Sequence, residues 1–180
     1  MKKLRLFWII FFSLCLLVSQ KVKAEEFLYL PIKRAAVITC NFCCYQLKGR
    51  CHGGIDYDVR DAGDEIIASA SGTVERVVDG RPNTRRQNIV EYGNFVQIRH
   101  SNGYRTIYAH LESSSIRVHV GEEVKAGQLL GYGDNSGWSS GSHLHFEVRD
   151  PSGRKVNPYG DNPSYPNCGP NALWATCPPF

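Results

Sequence analysis

Beyond residue 18 the sequence has no long apolar run and no helical period of useful length, and its only methionine is Met1. Each absence excludes something. The apolar run from Leu6 to Val18 is short of the roughly 20 residues a membrane-spanning helix needs. Without helical periodicity the remainder cannot be an α or α/β domain. The spacing V-x-x-G-x-x-V-x-x-G-Q from Val118 to Gln128 could suggest a lipoyl- or biotinyl-type carrier, but that hairpin wants a modifiable lysine flanked by methionine, and none is present. No His-Glu-x-x-His occurs, so a helix-borne zinc site with a glutamate base is excluded. No second Cys-x-x-Cys follows Cys40-x-x-Cys43, which argues against a metal knuckle.

No acidic residue precedes Glu25. Lys2, Lys3 and Arg5 form a charged head, an apolar stretch follows, and Val22-Lys23-Ala24 offers a small-residue cleavage site. Residues 1–24 are therefore expected to be a signal peptide, the mature chain to be exported (periplasmic or extracellular), and no membrane anchor to remain after cleavage. Cys15 follows Leu14, where a lipoprotein signal would want a small residue, so lipidation is set aside. Five of the 21 basic residues and none of the 17 acidic ones lie in this segment; sixteen against seventeen remain, a net charge of −1. That excludes nucleic acid and anionic membrane as charge-driven partners. Six cysteines remain: Cys40, Cys43, Cys44, Cys51, Cys168 and Cys177. In an oxidising compartment they read as up to three disulfides, with about fifteen possible pairings.

Residues 25–39 read as a mixed lead-in broken at Pro31 with one short strand, and residues 40–51 as a stapled loop. Ile55, Tyr57 and Val59 alternate with Asp56 and Asp58, which predicts a strand with His52 at its entrance; adjacent Gly53 and Gly54 argue against a helix. Gly72 to Val78, Phe95 to His100 and Tyr104 to Leu111 predict further strands, with Ser101-Asn102-Gly103 as a hairpin turn. Val120–Val124 and Gly127–Gly131 look like another pair of short strands. Residues 79–92 are a long polar loop and 132–142 a Gly/Ser loop. The expected boundaries are 1–24, a cysteine-rich lead-in over 25–51, a domain over 52–158, and a Pro-rich disulfide-tethered tail over 159–180. The expected fold is all-β.

The centre of the chain is Gly141-Ser142-His143-Leu144-His145-Phe146-Glu147-Val148. As a strand it sends Leu144, Phe146 and Val148 into a core and His143, His145 and Glu147 to the opposite face. Two imidazoles on one strand face can reach one small target, and imidazole is both the commonest metal ligand and a common general base.

HGGID from His52, GNFVQIRHSNGYRTIYAHL from Gly93, VGEEVKAGQLLGYG from Val120, HLHFEV from His143 and Val156-Asn157-Pro158 occur in that order. Together they closely resemble the lysostaphin/LytM-type zinc endopeptidases of peptidoglycan, over roughly Cys51 to Pro158. The resemblance implies antiparallel β-sheets in a split-barrel or sandwich-like core, the duplicated hybrid motif, with a groove across one sheet. It implies one zinc ion per chain held by His52, Asp56 and His145, catalytic histidines at His110 and His143, and hydrolysis of peptide crosslinks through a zinc-activated water. The chemistry of the residues agrees with this. Two imidazoles and a carboxylate suit zinc and leave a position open for water, and an imidazole pair can handle the protons. Which histidine is the base is not readable.

Glu147 reads either as the partner that orients a ligand imidazole or as a surface acid. Arg81, Arg85 and Arg86 read as forks for substrate carboxylates or as a solvated loop. His100 and His119 are expected to be solvated strand-end histidines. The expected partner is a peptidoglycan peptide, and the expected state a monomer. The competing class is a secreted zinc-binding relative without turnover, chemotaxin-like or regulatory. The four cysteines crowding the approach to His52 depart from the resembled family's pattern.

Overall fold

The structure is a computed structural model. It describes residues 27–160, apart from 36, 44–45, 48–49, 61–62 and 83–91, together with 168 and 171–175. The segment read as a signal peptide, Cys44, Cys177, Arg85 and Arg86 lie outside the described residues.

Alternating apolar residues build the main sheet. Its strands are β1 (Ile38–Cys40), β4 (Ile55–Asp58), β6 (Gly72–Val78), β7 (Asn94–Arg99), β8 (Arg105–Leu111), β9 (Glu123–Val124), β11 (His143–Arg149) and β12 (Lys155–Val156). Neighbours run antiparallel in the order β1-β4-β11-β8-β7-β6-β9, with β12 also on β11. Two small sheets complete the fold, one pairing β5 (Glu65–Ile67) with β10 (Leu129–Tyr132) and one pairing β2 (Gln46–Leu47) with β3 (Arg50–Cys51). No helix occurs among the described residues. The fold is all-β and sandwich-like, as the alternation predicts.

One face of the main sheet carries the core. Ile55, Tyr57, Val96, Ile98, Tyr108, Leu144, Phe146 and Val148 pack there with Ile66 and Leu130 of the small sheet, all almost fully buried. Tyr108 brings a hydroxyl into this core, and it is satisfied: the Ser69 amide donates to it at 2.8 Å and the Ser69 hydroxyl lies 2.7 Å away. The other face holds a small apolar floor of Phe95, Ile107 and Ala109, flanked by Val78 and Tyr92.

Two expectations are corrected. The segments around Val120–Val124 and Gly127–Gly131 do not pair with each other; β9 pairs with β6 and β10 with β5. His100 is not solvated: it is buried, contacts the Ser71 carbonyl and the Thr106 hydroxyl at 2.9 Å each, and burial lowers its pKa. The lead-in and the described part of the tail meet in the core. Leu28 bridges Trp174, and both residues lie in the main core with Tyr159 and Leu173. His119, by contrast, is exposed and pairs with Glu122. The Ser101-Asn102-Gly103 turn is present, closed by the Gly103 amide donating to the His100 carbonyl, with Gly103 in the left-handed region at φ 83°.

Candidate metal centre and catalytic histidines

The site lies on the sheet face opposite the core, where β4 and β11 run side by side. Register places Asp56 directly across from His145, and Ala109 on its other side. His52 reaches the same point over Gly53 and Gly54. The close approach needs glycine at position 54: a Cβ there would stand 2.6 Å from His145 Cε1 and 2.7 Å from the Phe146 carbonyl.

Three donor atoms converge. His145 Nδ1 is 2.9 Å from Asp56 Oδ1 and 3.0 Å from His52 Nε2, and His52 Nε2 is 3.1 Å from Asp56 Oδ1. His52 Nδ1 donates to the Asn41 carbonyl at 3.0 Å, which leaves Nε2 with its lone pair when the ring is neutral. The carboxylate is acceptor-only. Three electron-pair donors thus crowd together with at most one proton among them, a donor set that fits a cation of the zinc type. Asp56 is held below the ordinary carboxylate range. Burial works against its charge, but the hydrogen bonds from His145 and His52 prevail. For His145 burial favours the neutral ring, yet the two carboxylates, Asp56 and Glu147, raise its pKa overall.

Cys40 Sγ approaches His52 Nδ1 at 3.4 Å and groups with His52 and Asp56. It offers no thiolate, because Cys40 is disulfide-bonded, as are Cys168 and the pair Cys43–Cys51. The cysteine-knuckle alternative fails on the same ground. The Cys43 amide donates to the His52 carbonyl at 2.8 Å, so the stapled loop grips the backbone of His52.

His143 and His110 stand beside this cluster, their rings 4.6 Å apart, with His143 Nε2 at 3.8 Å from Asp56 Oδ2. Both have their protons fixed by carbonyls, which can only accept. His110 Nδ1 donates to Ser136 O at 2.7 Å, and His143 Nδ1 to Gly141 O at 2.8 Å. Each neutral ring is left with a free Nε2. Burial pushes the His110 pKa down to about 3, assisted by the charges of His143 and His145.

His110 reaches this face through a β-bulge. Asn94 pairs with Leu111 and Phe95 with Ala109, so His110 is the unpaired extra residue, in the left-handed region at φ 63°. By simple alternation it would point with Tyr108 into the core. A non-glycine residue held there costs on the order of 1–3 kcal/mol, and such strain collects at functional sites.

Glu147 is not a surface acid. Its side chain is fully buried and accepts from Arg149 Nε at 2.6 Å, Tyr92 Oη at 2.7 Å and Lys155 Nζ at 2.8 Å, with His145 Nε2 at 3.6 Å. Burial opposes its charge, but these partners take its pKa down to about 2. Arg81 is exposed; among the described residues its backbone is engaged with the Asn94 side chain. Tyr92, Lys155, Ser136 and Ser139 support the site without any motif marking them. Lys155 could have been suspected only from the strand pairing that brings β12 to Glu147.

Residues 50–158 match the family described as peptidase family M23. Among curated relatives, the DD-carboxypeptidase/endopeptidase Mpg of Neisseria meningitidis is 39% identical over 61% of this chain and 22% of its own length. The chain thus spans about a fifth of the length of the relatives it matches. Among solved structures, the catalytic domain of a variant of the prophage-encoded M23 protein EnpA from Enterococcus faecalis is 31% identical, with a TM-score of 0.57 over 78% of this chain and 98% of that one. A zinc-containing peptidase from Vibrio cholerae is 29% identical, with a TM-score of 0.60 over 74% of this chain and 39% of that one.

Proposed function

The chain belongs to peptidase family M23, and from that premise we propose that it is an exported zinc endopeptidase that hydrolyses peptide crosslinks of peptidoglycan. One observation carries the reading: His52, Asp56 and His145 bring three lone-pair atoms within 2.9–3.1 Å of one another. What zinc supplies when held there is Lewis acidity and a bound water whose pKa falls to about 7.

The chain's own residues do the rest. Asn41 fixes the His52 tautomer and Glu147 faces the far nitrogen of His145, so both rings present their lone pairs inward. His143, nearer Asp56, has a free Nε2 that can take the proton released when water adds to the scissile carbonyl. His110 is neutral throughout the physiological range, because burial holds its pKa near 3. It serves as a second neutral imidazole beside the first, helping to pass that proton to the departing amine. The balance is one water consumed, with one carboxylate and one ammonium released, both of the water's protons ending on the departing nitrogen.

Purified sacculi of known chemistry are the test. Zinc-loaded protein should release peptide-cleaved fragments identifiable by mass, and His110→Ala should not, while keeping its metal. Intact sacculi of every crosslink type after treatment with zinc-loaded protein would overturn the proposal and favour a metal-binding relative without turnover. Against that alternative stands the strained His110, whose left-handed backbone serves no packing need the structure reveals.

A further inference from the structure

The loop over 132–142 buries two serines, Ser136 and Ser139, and exposes its largest apolar residue, Trp138, between them. Ser136 is fully buried and Ser139 nearly so, whereas Trp138 between them is 54% exposed. Single exposed apolar side chains are ordinary on protein surfaces. What distinguishes Trp138 is its footing. The Ser136 carbonyl accepts from His110 Nδ1, and the Ser136 hydroxyl donates to Leu111 O at 2.6 Å and accepts from the Asn94 amide at 2.9 Å. On the other side, Ser139 Oγ donates to Gly141 O at 2.6 Å and lies 3.2 Å from His143 Nδ1. Gly137, in the left-handed region at φ 80°, turns the chain outward between these anchors.

We infer that Trp138 is a substrate-recognition residue, a fixed aromatic platform for the peptide residue flanking the scissile bond. The inference rests on the endopeptidase reading of the site. Consecutive Cα atoms are about 3.8 Å apart, so the indole is carried one residue from a contact to His143 and two from a contact to His110. A peptide substrate advances about 3.3–3.6 Å per extended residue, so a ring at this position meets the residue next to the cleaved bond, not a sugar several residues away. The ligand chemistry is aliphatic: methyl or methylene groups of that residue lie against the indole face. The backbone is already clamped, so binding orders little beyond one side chain with two rotatable bonds, which is why rigid aromatics make effective anchors.

The experiment uses soluble crosslinked stem-peptide dimers freed of their sugars, direct and glycine-bridged, and N-acetylglucosamine oligomers as the sugar arm. Trp138→Ala should raise KM on the cleaved dimer about ten- to thirtyfold, with kcat and zinc content kept, and Trp138→Phe should restore most of the loss. In the inactive His110→Ala background, dimer should shift Trp emission, and the shift should vanish when Trp138→Phe is added, since Trp174 is buried. An unchanged KM, or loss confined to kcat and metal content, would mean that Trp138 only braces the loop, and would overturn the inference. Emission that responds to sugar oligomers but not to peptide dimers would overturn the peptide assignment. Dimer binding through Trp138 without cleavage by the zinc-loaded protein would remove the endopeptidase reading and leave the platform standing; neither binding nor cleavage would remove both.

Discussion

On the proposed reading, single side chains in this site divide into those that hold and those that react, and each division has a measurable consequence. Glu147 touches no reacting group; it faces His145 Nε2 and is itself gripped by Arg149, Tyr92 and Lys155. Glu147→Gln should therefore weaken zinc affinity about 10–100-fold, read by competition with a chelating dye, while leaving two cations facing a neutral amide in a buried place. His110→Ala and His143→Ala should keep zinc and lose turnover by about 10²–10⁴-fold, and metal content measured beside activity separates the two classes. The pH dependence follows from signs. The His145 pKa is raised above its ordinary 6.5 in the metal-free protein, so its proton competes with the metal. Zinc affinity should be full above that raised value and fall by at least tenfold per pH unit below it, beginning above pH 6.5. His110, with its pKa near 3, stays neutral across this range and contributes nothing to that acid limb. An affinity flat between pH 5 and 8 would refute the ligand role of His145.

At the scale of strands and loops, the legible and the hidden part company along the line between local period and long-range pairing. Alternation alone places Leu144, Phe146 and Val148 inward and His143, His145 and Glu147 outward, because a strand has no other way to seat them. The same rule misplaces His110, since a bulge is set by the partner strand's register and not by the residues around it. The short strands Glu65–Ile67 and Lys155–Val156 were equally hidden; with two or three residues each they carry no period to read. Nor could spacing assign Glu147 between orienting partner and surface acid, since Lys155 and Tyr92 reach it only through tertiary pairing. Gly54 shows a local residue with a long-range reason. Gly54→Ala would drive a Cβ against the His145 ring and the Phe146 carbonyl. Because backbone stands on one side, the ring must yield. The variant should keep its far-UV circular dichroism and lose zinc affinity, at a stability cost of about 1–3 kcal/mol; wild-type affinity would show that the ring has room the packing denies it.

Taken whole, the molecule keeps its stability and its chemistry on opposite faces of one sheet. The apolar core from Leu28 to Trp174 lies on one face, and the proposed metal ligands lie on the other with only a small apolar floor beneath. Removing zinc should therefore leave the β-structure intact, in contrast to small metal-dependent domains where binding free energy is folding free energy. Cys40, Cys43 and Cys51 belong to the site's side of this division, whereas Cys168 packs against the core. The Cys43–Cys51 bond closes the loop that ends at His52, the Cys43 amide holds the His52 carbonyl, and Cys40 Sγ rests against the His52 ring. Chelation of the oxidised protein should lower the melting temperature only by the lost linkage, about 2.7 kcal/mol at zinc one hundredfold above its Kd, with one cooperative transition retained. Reduction at neutral pH should act on affinity instead: His52 loses its backbone grip, the zinc Kd rises, and activity is recovered only at higher free zinc. Thermal melts followed by circular dichroism, with and without chelator and reductant, read both effects in one matrix. Collapse of the β signal on chelation of the oxidised protein would show that the metal, not the core and its disulfides, holds the two faces together.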